Sequence, residues 1–244
     1  MIDVHSHLLY GIDDGVQSLD EALEVLLEAK NQGIKEIILT PHYILDGRFH
    51  VTKDELEKLM GTLDSDGVQL HLGHELFIHI DLCDHLKSNQ CCTLANSKYI
   101  LVEFPFERYL DDYDYILEDL RSLGYKIIIA HPERYKYVRE DVNFCLRWLD
   151  EGYLLQCNQN SFIRKETQKL MKQMMNHNFI SFIASDTHGK HRPIQLKEVY
   201  EMIANKYGKE VADTLFYKNA KAIINNEKII NDSYRPVKGL FGRY

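Results

Sequence analysis

Seven short apolar runs alternate with helix-like segments along this chain, and that alternation restricts its fold more than any other feature. Helices between strands are typical of parallel βαβ units, because a parallel pair needs a crossover connection. Seven such units within 244 residues, without repeats or linker-like segments, predict one α/β domain. We expect a closed or nearly closed barrel, and a doubly wound open sheet is the alternative. The runs are residues 2–5, 35–40, 68–76, 98–104, 125–130, 153–158 and 179–184.

Two segments carry clear helix signals. In SLDEALEVLLEAKNQG (18–33), Ser18 can cap the helix, Glu21 follows three residues later, and Gly33 ends it. The segment DYDYILEDLRSLG repeats this plan and ends at Gly124. Both segments therefore predict crossover helices between strands.

Composition and charge exclude several classes of function. The apolar fraction of 45% and the charged fraction of 27% are ordinary for a soluble globular protein. No apolar run approaches the roughly 20 residues of a membrane span, and the N-terminus lacks a basic stretch before an apolar core. The formal net charge of −8 disfavours nucleic acid, whose phosphates attract basic surfaces. Five cysteines at no metal-like spacing fit reduced thiols, so we expect a cytoplasmic protein without membrane insertion.

Six of the seven predicted strands are followed by histidines or acidic residues. In a parallel barrel the carboxyl ends of the strands meet on one side, and active sites form there. The sixth strand supplies only the polar residues Asn158, Gln159 and Asn160, and the loop after the first carries Asp13 and Asp14. The residues at the other strand ends are His5, His7, His42, Glu75, Glu103, His131, Asp186 and His188.

Spacing and surroundings strengthen the prediction for five of these residues, which form three groups. His5 and His7 are two positions apart on a strand, so their side chains share one face. Asp186 and His188 repeat that spacing. Glu103 lies inside an apolar run, where a carboxylate without a cation would be costly to bury. A bound metal ion is the common explanation for all three.

Five imidazoles and four carboxylates form the predicted ligand set. They exceed what one ion takes and suit a cluster of two or three ions that share carboxylates. Mixed nitrogen and oxygen donors without thiolate favour Mn²⁺, Fe²⁺ or Zn²⁺. Closely spaced ions activate water and clamp a phosphoryl group. The predicted metal ligands are His5, His7, Asp14, His42, Glu75, Glu103, His131, Asp186 and His188.

Two arginines near the same strand ends indicate a phosphorylated substrate. Arg134 follows His131 by three residues and Arg192 follows His188 by four, and guanidinium groups bind phosphate oxygens. The chain has no C-x5-R motif and no glycine-rich phosphate loop. Amidohydrolase barrels also open with H-x-H, but they generally carry a modified lysine at the fourth strand, where this chain has Glu103. The sequence therefore predicts a metal-dependent phosphoester hydrolase.

Seven motifs in register resemble the polymerase-and-histidinol-phosphatase (PHP) family: DVHSH, DDG, TPH, GHE, LVEFP, AHPER and ASDTH. They look most like its bacterial protein-tyrosine phosphatase branch, which is associated with capsule and exopolysaccharide synthesis. The likeness extends from Met1 to about residue 225.

This resemblance implies one PHP phosphatase domain over residues 1–244, folded as a distorted, TIM-like (β/α)7 barrel. It implies three divalent ions, usually assigned as manganese, and hydrolysis of phosphotyrosine on a membrane-associated bacterial tyrosine kinase. It also implies the nine ligands above, with Glu75 as a bridge between two ions. Arg134 and Arg192 match the positions that contact phosphate in that branch.

Our mechanistic hypothesis is direct attack on phosphorus by a metal-bridging hydroxide, with Arg134 and Arg192 stabilising the phosphoryl charge. His42, His188 or a metal-bound water protonates the leaving phenolate. The alternatives are a small-molecule phosphatase, such as histidinol-phosphate phosphatase, and a noncatalytic metal-binding module. The basic, aromatic segment 231–244 is either a frayed terminus or a docking peptide for a kinase or another subunit.

Overall fold

Short parallel strands carry the site residues at their carboxyl ends. This computed structural model describes residues 1–45, 47 and 49–238. Within those residues nine strands form: β1 (Ile2–Ser6), β2 (Glu36–Leu39), β3 (His42–Tyr43), β4 (Gln69–Leu72), β5 (Glu75–Phe77), β6 (Tyr99–Glu103), β7 (Lys126–Ala130), β8 (Leu154–Asn158) and β9 (Phe182–Ala184).

The strands form two sheets, and neighbouring strands within each sheet are parallel. One sheet has the order β1-β2-β4, and the other has the order β3-β5-β6-β7-β8-β9. Glu36 is paired with Gln69 in the first sheet, and His42 is paired with Glu75 in the second. The structure therefore confirms an α/β domain with parallel sheets.

Near the second and third predicted strands the structure has two strands each, where the sequence predicted one. Pro41 lacks an N–H group and separates β2 from β3. Gly73 separates β4 from β5, and a Cβ there would lie 2.8 Å from the Leu94 side chain, which would have to shift. Hydrogen bonds continue across the break, from Gly73 N to Leu39 O (2.8 Å) and from Glu75 N to Pro41 O (3.1 Å). The chain thus passes from the first sheet into the second at this point.

A second junction joins β1 to the segment after β9. Ser6 and Thr187 form a parallel bridge, and His7 N donates to Thr187 O at 3.0 Å. Asp186 N donates to His5 O at 2.9 Å. The first and last site segments of the chain are therefore neighbours.

Helices cover most connections, and the two predicted ones are confirmed. The Ser18 side chain accepts a hydrogen bond from Glu21 N at 3.3 Å, and Gly33 and Gly124 follow their helices with φ of 81° and 88°. None of the described helices is long and apolar enough to cross a bilayer. The α-helices are α1 (Leu19–Asn31), α2 (Lys53–Met60), α3 (Leu82–Lys87), α4 (Asp112–Ser122), α5 (Lys136–Glu140), α6 (Leu146–Leu149), α7 (Asn160–Ile163), α8 (Gln168–Asn176), α9 (Leu196–Tyr207), α10 (Lys209–Asp213) and α11 (Asn219–Ile224). Short 3₁₀ segments are Leu94–Asn96, Pro132–Arg134, Val142–Cys145 and Gly189–His191, and Thr214–Lys218 is a π-helical turn.

Both faces of the central strands are buried, as is typical of parallel sheets. On β7, Ile127 and Ile129 belong to one hydrophobic cluster, and Ile128 and Ala130 belong to the other. On the strand face that forms the second cluster, the apolar residues are followed by buried polar residues near the carboxyl ends of the strands. On alternate positions Leu101 is followed by Glu103, Leu154 by Gln156 and Asn158, and Phe182 and Ala184 by Asp186.

The predicted tail is held against the domain as far as it is described. Tyr234 Oη donates to Asp150 Oδ1 at 2.9 Å, and Val237 N donates to Asn143 Oδ1 at 2.8 Å. Residues 239–244 of this segment lie outside the described residues. All five cysteines are free thiols, as predicted.

Candidate metal centre

All nine predicted ligands lie together at the carboxyl ends of the strands. Their donor atoms form four overlapping groups, within each of which every donor is within 4.8 Å of the others. The groups are His7, Asp14, His42 and His188; His5, His7 and Glu75; His5, His131 and Asp186; and His42, Glu75 and Glu103. The overlap means that several ions could share ligands here.

Glu75 lies at the middle of the cluster. Its Oε2 is 3.3 Å from Nε2 of both His5 and His7, and 3.0 Å from Nδ1 of His42. Its Oε1 is 2.7 Å from Nε2 of His131. One carboxylate thus faces four imidazoles, which is the arrangement expected of a bridging ligand.

Asp14 marks the open side of the cluster. Its Oδ1 lies 3.3 Å from Nε2 of His42 and 3.4 Å from Nε2 of His188. The Asp14 side chain is 58% exposed, whereas that of His42 is 12% exposed and that of His188 is 9% exposed. Solvent therefore reaches the cluster beside Asp14.

Asp186 connects the imidazoles to the two predicted arginines. Its Oδ1 is 3.6 Å from His5 Nε2 and 3.5 Å from His7 Nε2. Its Oδ2 contacts Nη1 of Arg134 at 3.4 Å and forms an ion pair with Arg192. The arginines are therefore at the cluster's edge, on the oxygen that faces away from the imidazoles.

Two site residues have left-handed backbone conformations that residues other than glycine rarely adopt. The φ angle is 30° at His131 and 48° at Asp186. Each residue stands just beyond a strand end, His131 after β7 and Asp186 after β9. Such strain, of order 1–3 kcal/mol per residue, clusters at functional sites because it directs a side chain toward a ligand.

Polar residues behind the histidines orient their rings, and this role was not predicted from the sequence. Asp13 Oδ2 is 2.7 Å from Nδ1 of His7, and Gln156 Oε1 is 2.8 Å from Nδ1 of His5. These contacts leave both Nε2 atoms facing each other, 3.1 Å apart. Supporting hydrogen bonds of this kind are usual for metal-binding histidines. The pair DD and the polar end of β8 were the available signals.

The sequence motif DDG has a steric cause. A Cβ on Gly15 would lie 2.4 Å from both Cβ and O of His7, so only glycine allows this loop to approach the histidine. Gly15 N donates to Asp13 Oδ1 at 2.9 Å, which fixes the Asp13 carboxylate beneath His7. The loop therefore directs Asp13 inward, and the side chain of the next residue, Asp14, points toward His42 and His188.

The pKa values show that the cluster favours positive charge. Burial opposes the protonated form of His7 and His42, yet Asp13 raises the pKa of His7 to about 9 and Glu75 raises that of His42 to about 12. Burial also opposes ionisation of Glu75, but the neighbouring histidines hold its pKa well below the ordinary value. Burial and the charge of Glu75 raise the pKa of Glu103 to about 8. Divalent cations would meet the same demand as these protons.

Two potential ligand atoms inside the cluster have no hydrogen-bond partner, which also fits bound metal ions. Within the described part of the chain, Glu75 Oε2 and His42 Nδ1 are buried without a hydrogen-bond partner. Leaving such groups unsatisfied is costly, and a cation between them removes the cost. The donor set is imidazole and carboxylate, which suits Mn²⁺, Fe²⁺ or Zn²⁺.

Fold and site together define a parallel α/β protein whose strand ends can hold a multi-ion centre. The family model described as "Capsular polysaccharide synthesis, CpsB/CapC" matches residues 1–225, and the chain belongs to this family. This family assignment confirms the resemblance to the bacterial protein-tyrosine phosphatase branch.

Relatives and a solved structure match almost the full chain. Tyrosine-protein phosphatase CpsB of Streptococcus agalactiae is 32% identical over 94% of this chain and 100% of its own length. Tyrosine-protein phosphatase YwqE of Bacillus subtilis is 30% identical over 99% of both chains. A solved structure, from work on YwqE of Bacillus subtilis and CpsB of Streptococcus pneumoniae as unique metal-dependent tyrosine phosphatases, superposes with a TM-score of 0.90. It is 29% identical, and the match covers 98% of this chain and 100% of that one.

Proposed function

We propose that this protein is a metal-dependent phosphatase that hydrolyses phosphotyrosine on proteins in the control of capsular or extracellular polysaccharide synthesis. The observation that carries the proposal is the convergence of the nine donors with two arginines at one edge. Full-length similarity to the tyrosine phosphatases CpsB and YwqE supports the same chemistry. In this reading the substrate is a phosphotyrosine on a membrane-associated bacterial tyrosine kinase, and both proteins meet in the cytoplasm.

The cofactor in this proposal is a set of three divalent ions, with manganese as the first choice and iron or zinc as alternatives. Glu75 would bridge two ions, because its two oxygens face different histidines. Asp14, His42 and His188 would hold the most accessible ion. When bound, the ions would activate water and take up charge on the phosphoryl oxygens.

The chain's own residues would position the phosphate and handle the proton. Arg134 and Arg192 would bind its oxygens, since both guanidinium groups are already at the cluster's edge. The Arg134 guanidinium is also fixed 4.5 Å above the Phe106 ring. His42 or His188 would donate a proton to the leaving phenolate, because both lie on the open side, beside Asp14.

The fold in this proposal is the distorted (β/α)7 barrel. The hydrogen bonds across the Pro41–Gly73 break and those between β1 and Thr187 link the two sheets at both of their junctions, which supports it. We assign the phosphatase domain to residues 1–244, with 231–244 as a docking segment whose last six residues lie outside the described part.

Phosphate release from a phosphotyrosine peptide by metal-stripped protein, titrated with Mn²⁺, Zn²⁺ and Mg²⁺, tests this function. Histidinol phosphate is the second substrate. We expect Mn²⁺ to restore activity on the peptide and not on histidinol phosphate. Activity on histidinol phosphate alone would instead identify a small-molecule phosphatase. A metal-loaded protein inactive on both would be a noncatalytic metal-binding module.

A further inference from the structure

A basic cavity of about 330 Å³ adjoins the candidate metal centre. Four arginines line it, although the protein has a formal net charge of −8. Arg134 and Arg192 contact Asp186 and belong to the site described above. Arg139 and Arg164 do not contact that site. Their presence in the same cavity requires another explanation.

Arg139 and Arg164 form no ion pair with any carboxylate in the part of the chain that the structure describes, and both are exposed. By contrast, the exposed Arg121 donates two hydrogen bonds to Glu118. Guanidinium groups gathered in one cavity repel each other, so a bound anion would stabilise them. The cavity wall itself therefore favours an anionic ligand.

The cavity wall contains few acidic side chains that could neutralise its arginines. Glu133 is the one carboxylate among the described lining residues, and it is buried. Its Oε1 accepts hydrogen bonds from Asn158 N and Ser161 Oγ, both at 2.8 Å. The carboxylate of Asp186 pairs with Arg134 and Arg192 from beside the cavity. Four arginines thus face two carboxylates, and the cavity keeps an excess of positive charge.

The elements that carry Arg139 and Arg164 form part of the wall of the cavity beside the centre. Arg139 lies on α5, and Arg164 directly follows α7. Asn158, which also lines the cavity, donates a hydrogen bond to Asp186 Oδ2. The inner end of the cavity therefore reaches the metal centre. A phosphotyrosine bound there would bring its neighbouring residues to the cavity wall.

We propose that Arg139 and Arg164 form a second anion subsite, which binds an anionic side chain of the substrate peptide close to the phosphotyrosine being cleaved. This inference rests on the proposed function and specifies its substrate as an acidic phosphotyrosine peptide. The anion is a carboxylate or a second phosphate, because a guanidinium group binds both in the same planar geometry.

Steady-state kinetics on three phosphotyrosine peptides test the proposal with Mn²⁺-loaded protein. One peptide has neutral flanking residues, one has glutamates, and one has a second phosphotyrosine. We expect KM to be about tenfold lower for the anionic peptides, from a contribution of about three- to fivefold per exposed charge pair. The double variant R139Q/R164Q removes this preference, and R139K/R164K keeps most of it. Arg121→Gln, on α4 and outside the cavity, is the charge-matched control for the single variants R139Q and R164Q, and it keeps the full preference.

Each outcome decides one question. A preference for both anionic peptides that R139Q/R164Q abolishes supports the subsite, and the larger of the two effects identifies the preferred anion. Equal KM values for all three peptides on the wild-type protein overturn the inference but leave the phosphatase function standing. A preference that survives in R139Q/R164Q overturns the assignment to these arginines. Inactivity of the wild-type protein on every peptide refutes the proposed function itself.

Discussion

Asp13 offers the sharpest test of how the centre is built, because it supports metal binding without belonging to the predicted ligand set. Its carboxylate accepts three hydrogen bonds: Oδ2 from Nδ1 of His7 (2.7 Å) and from N of His42 (3.1 Å), and Oδ1 from N of Gly15 (2.9 Å). Burial opposes its ionisation, but the charge of His7 holds the pKa of Asp13 below its ordinary value. The carboxylate is therefore charged at neutral pH.

Asp13→Asn keeps the shape of this side chain but has only one oxygen to serve three donors. In its better orientation the amide oxygen retains His7 and His42 and loses the hydrogen bond from Gly15. The lost buried hydrogen bond costs about 1–3 kcal/mol. The amide also lacks the negative charge that Asp13 places behind His7, and weakened support behind a metal-binding histidine typically lowers metal affinity 10- to 100-fold, which is about 1.4–2.8 kcal/mol. The first cost applies to the stability of the fold and the second to metal binding.

The assay is phosphatase activity of metal-stripped protein in chelator-buffered Mn²⁺, from which the half-activating concentration is read. We expect Asp13→Asn to raise that concentration about 10- to 100-fold. Asp232→Asn, with the same charge change at an exposed position, should leave it unchanged. A midpoint within twofold of the wild-type value would refute the reasoning. So would a lowered melting temperature without a changed midpoint, because Asp13 would then serve the fold alone.

Three further predictions follow from single positions. Gly15→Ala places a methyl group 2.4 Å from His7 and should lower the free energy of unfolding, measured by chemical denaturation, by about 1–3 kcal/mol. Gly61→Ala is the control and should be tolerated, because its Cβ would lie 3.4 Å from the nearest neighbour. Equal effects of the two substitutions would contradict the steric argument. Glu75→Ala should abolish turnover with an unchanged circular dichroism spectrum, and more than a tenth of the wild-type rate would exclude Glu75 as the central ligand. Under native conditions a thiol reagent should label Cys83 first, because the other four thiols are buried; rapid labelling of all five would contradict that burial.

The alternation of strands and helices was enough to predict a parallel α/β domain, since no other common arrangement alternates in this way. The division of the second and third predicted strands was not predictable. Pro41 lies just beyond the second predicted strand and Gly73 lies inside the third, and only their position opposite one another makes both interruptions coincide. A strand break that arises where two distant segments pack together leaves no recognisable hydrophobic pattern in the sequence of either segment.

The nine donors were predictable because parallel strands end on one side, so residues far apart in sequence meet there. The residues behind them were not, since their roles depend on distances. Asp13 and Asp14 are adjacent and chemically identical, yet Asp13 is buried against His7 and Asp14 is exposed toward His42. Gln156 belongs to a strand end without histidine or acid, and its function appears only when its contact with His5 is seen.

Asp186 connects the proposed metal site to the proposed phosphate site at one edge of this fold. One carboxylate oxygen faces the imidazoles, and the other holds Asn158, Arg134 and Arg192. In the proposed function, a phosphate that binds the two arginines would compete with Asp186 for them. The left-handed backbone at Asp186, with φ of 48°, sets the direction of both oxygens at once. In the proposed function, this one carboxylate would thus restrain both arginines until a phosphate binds them.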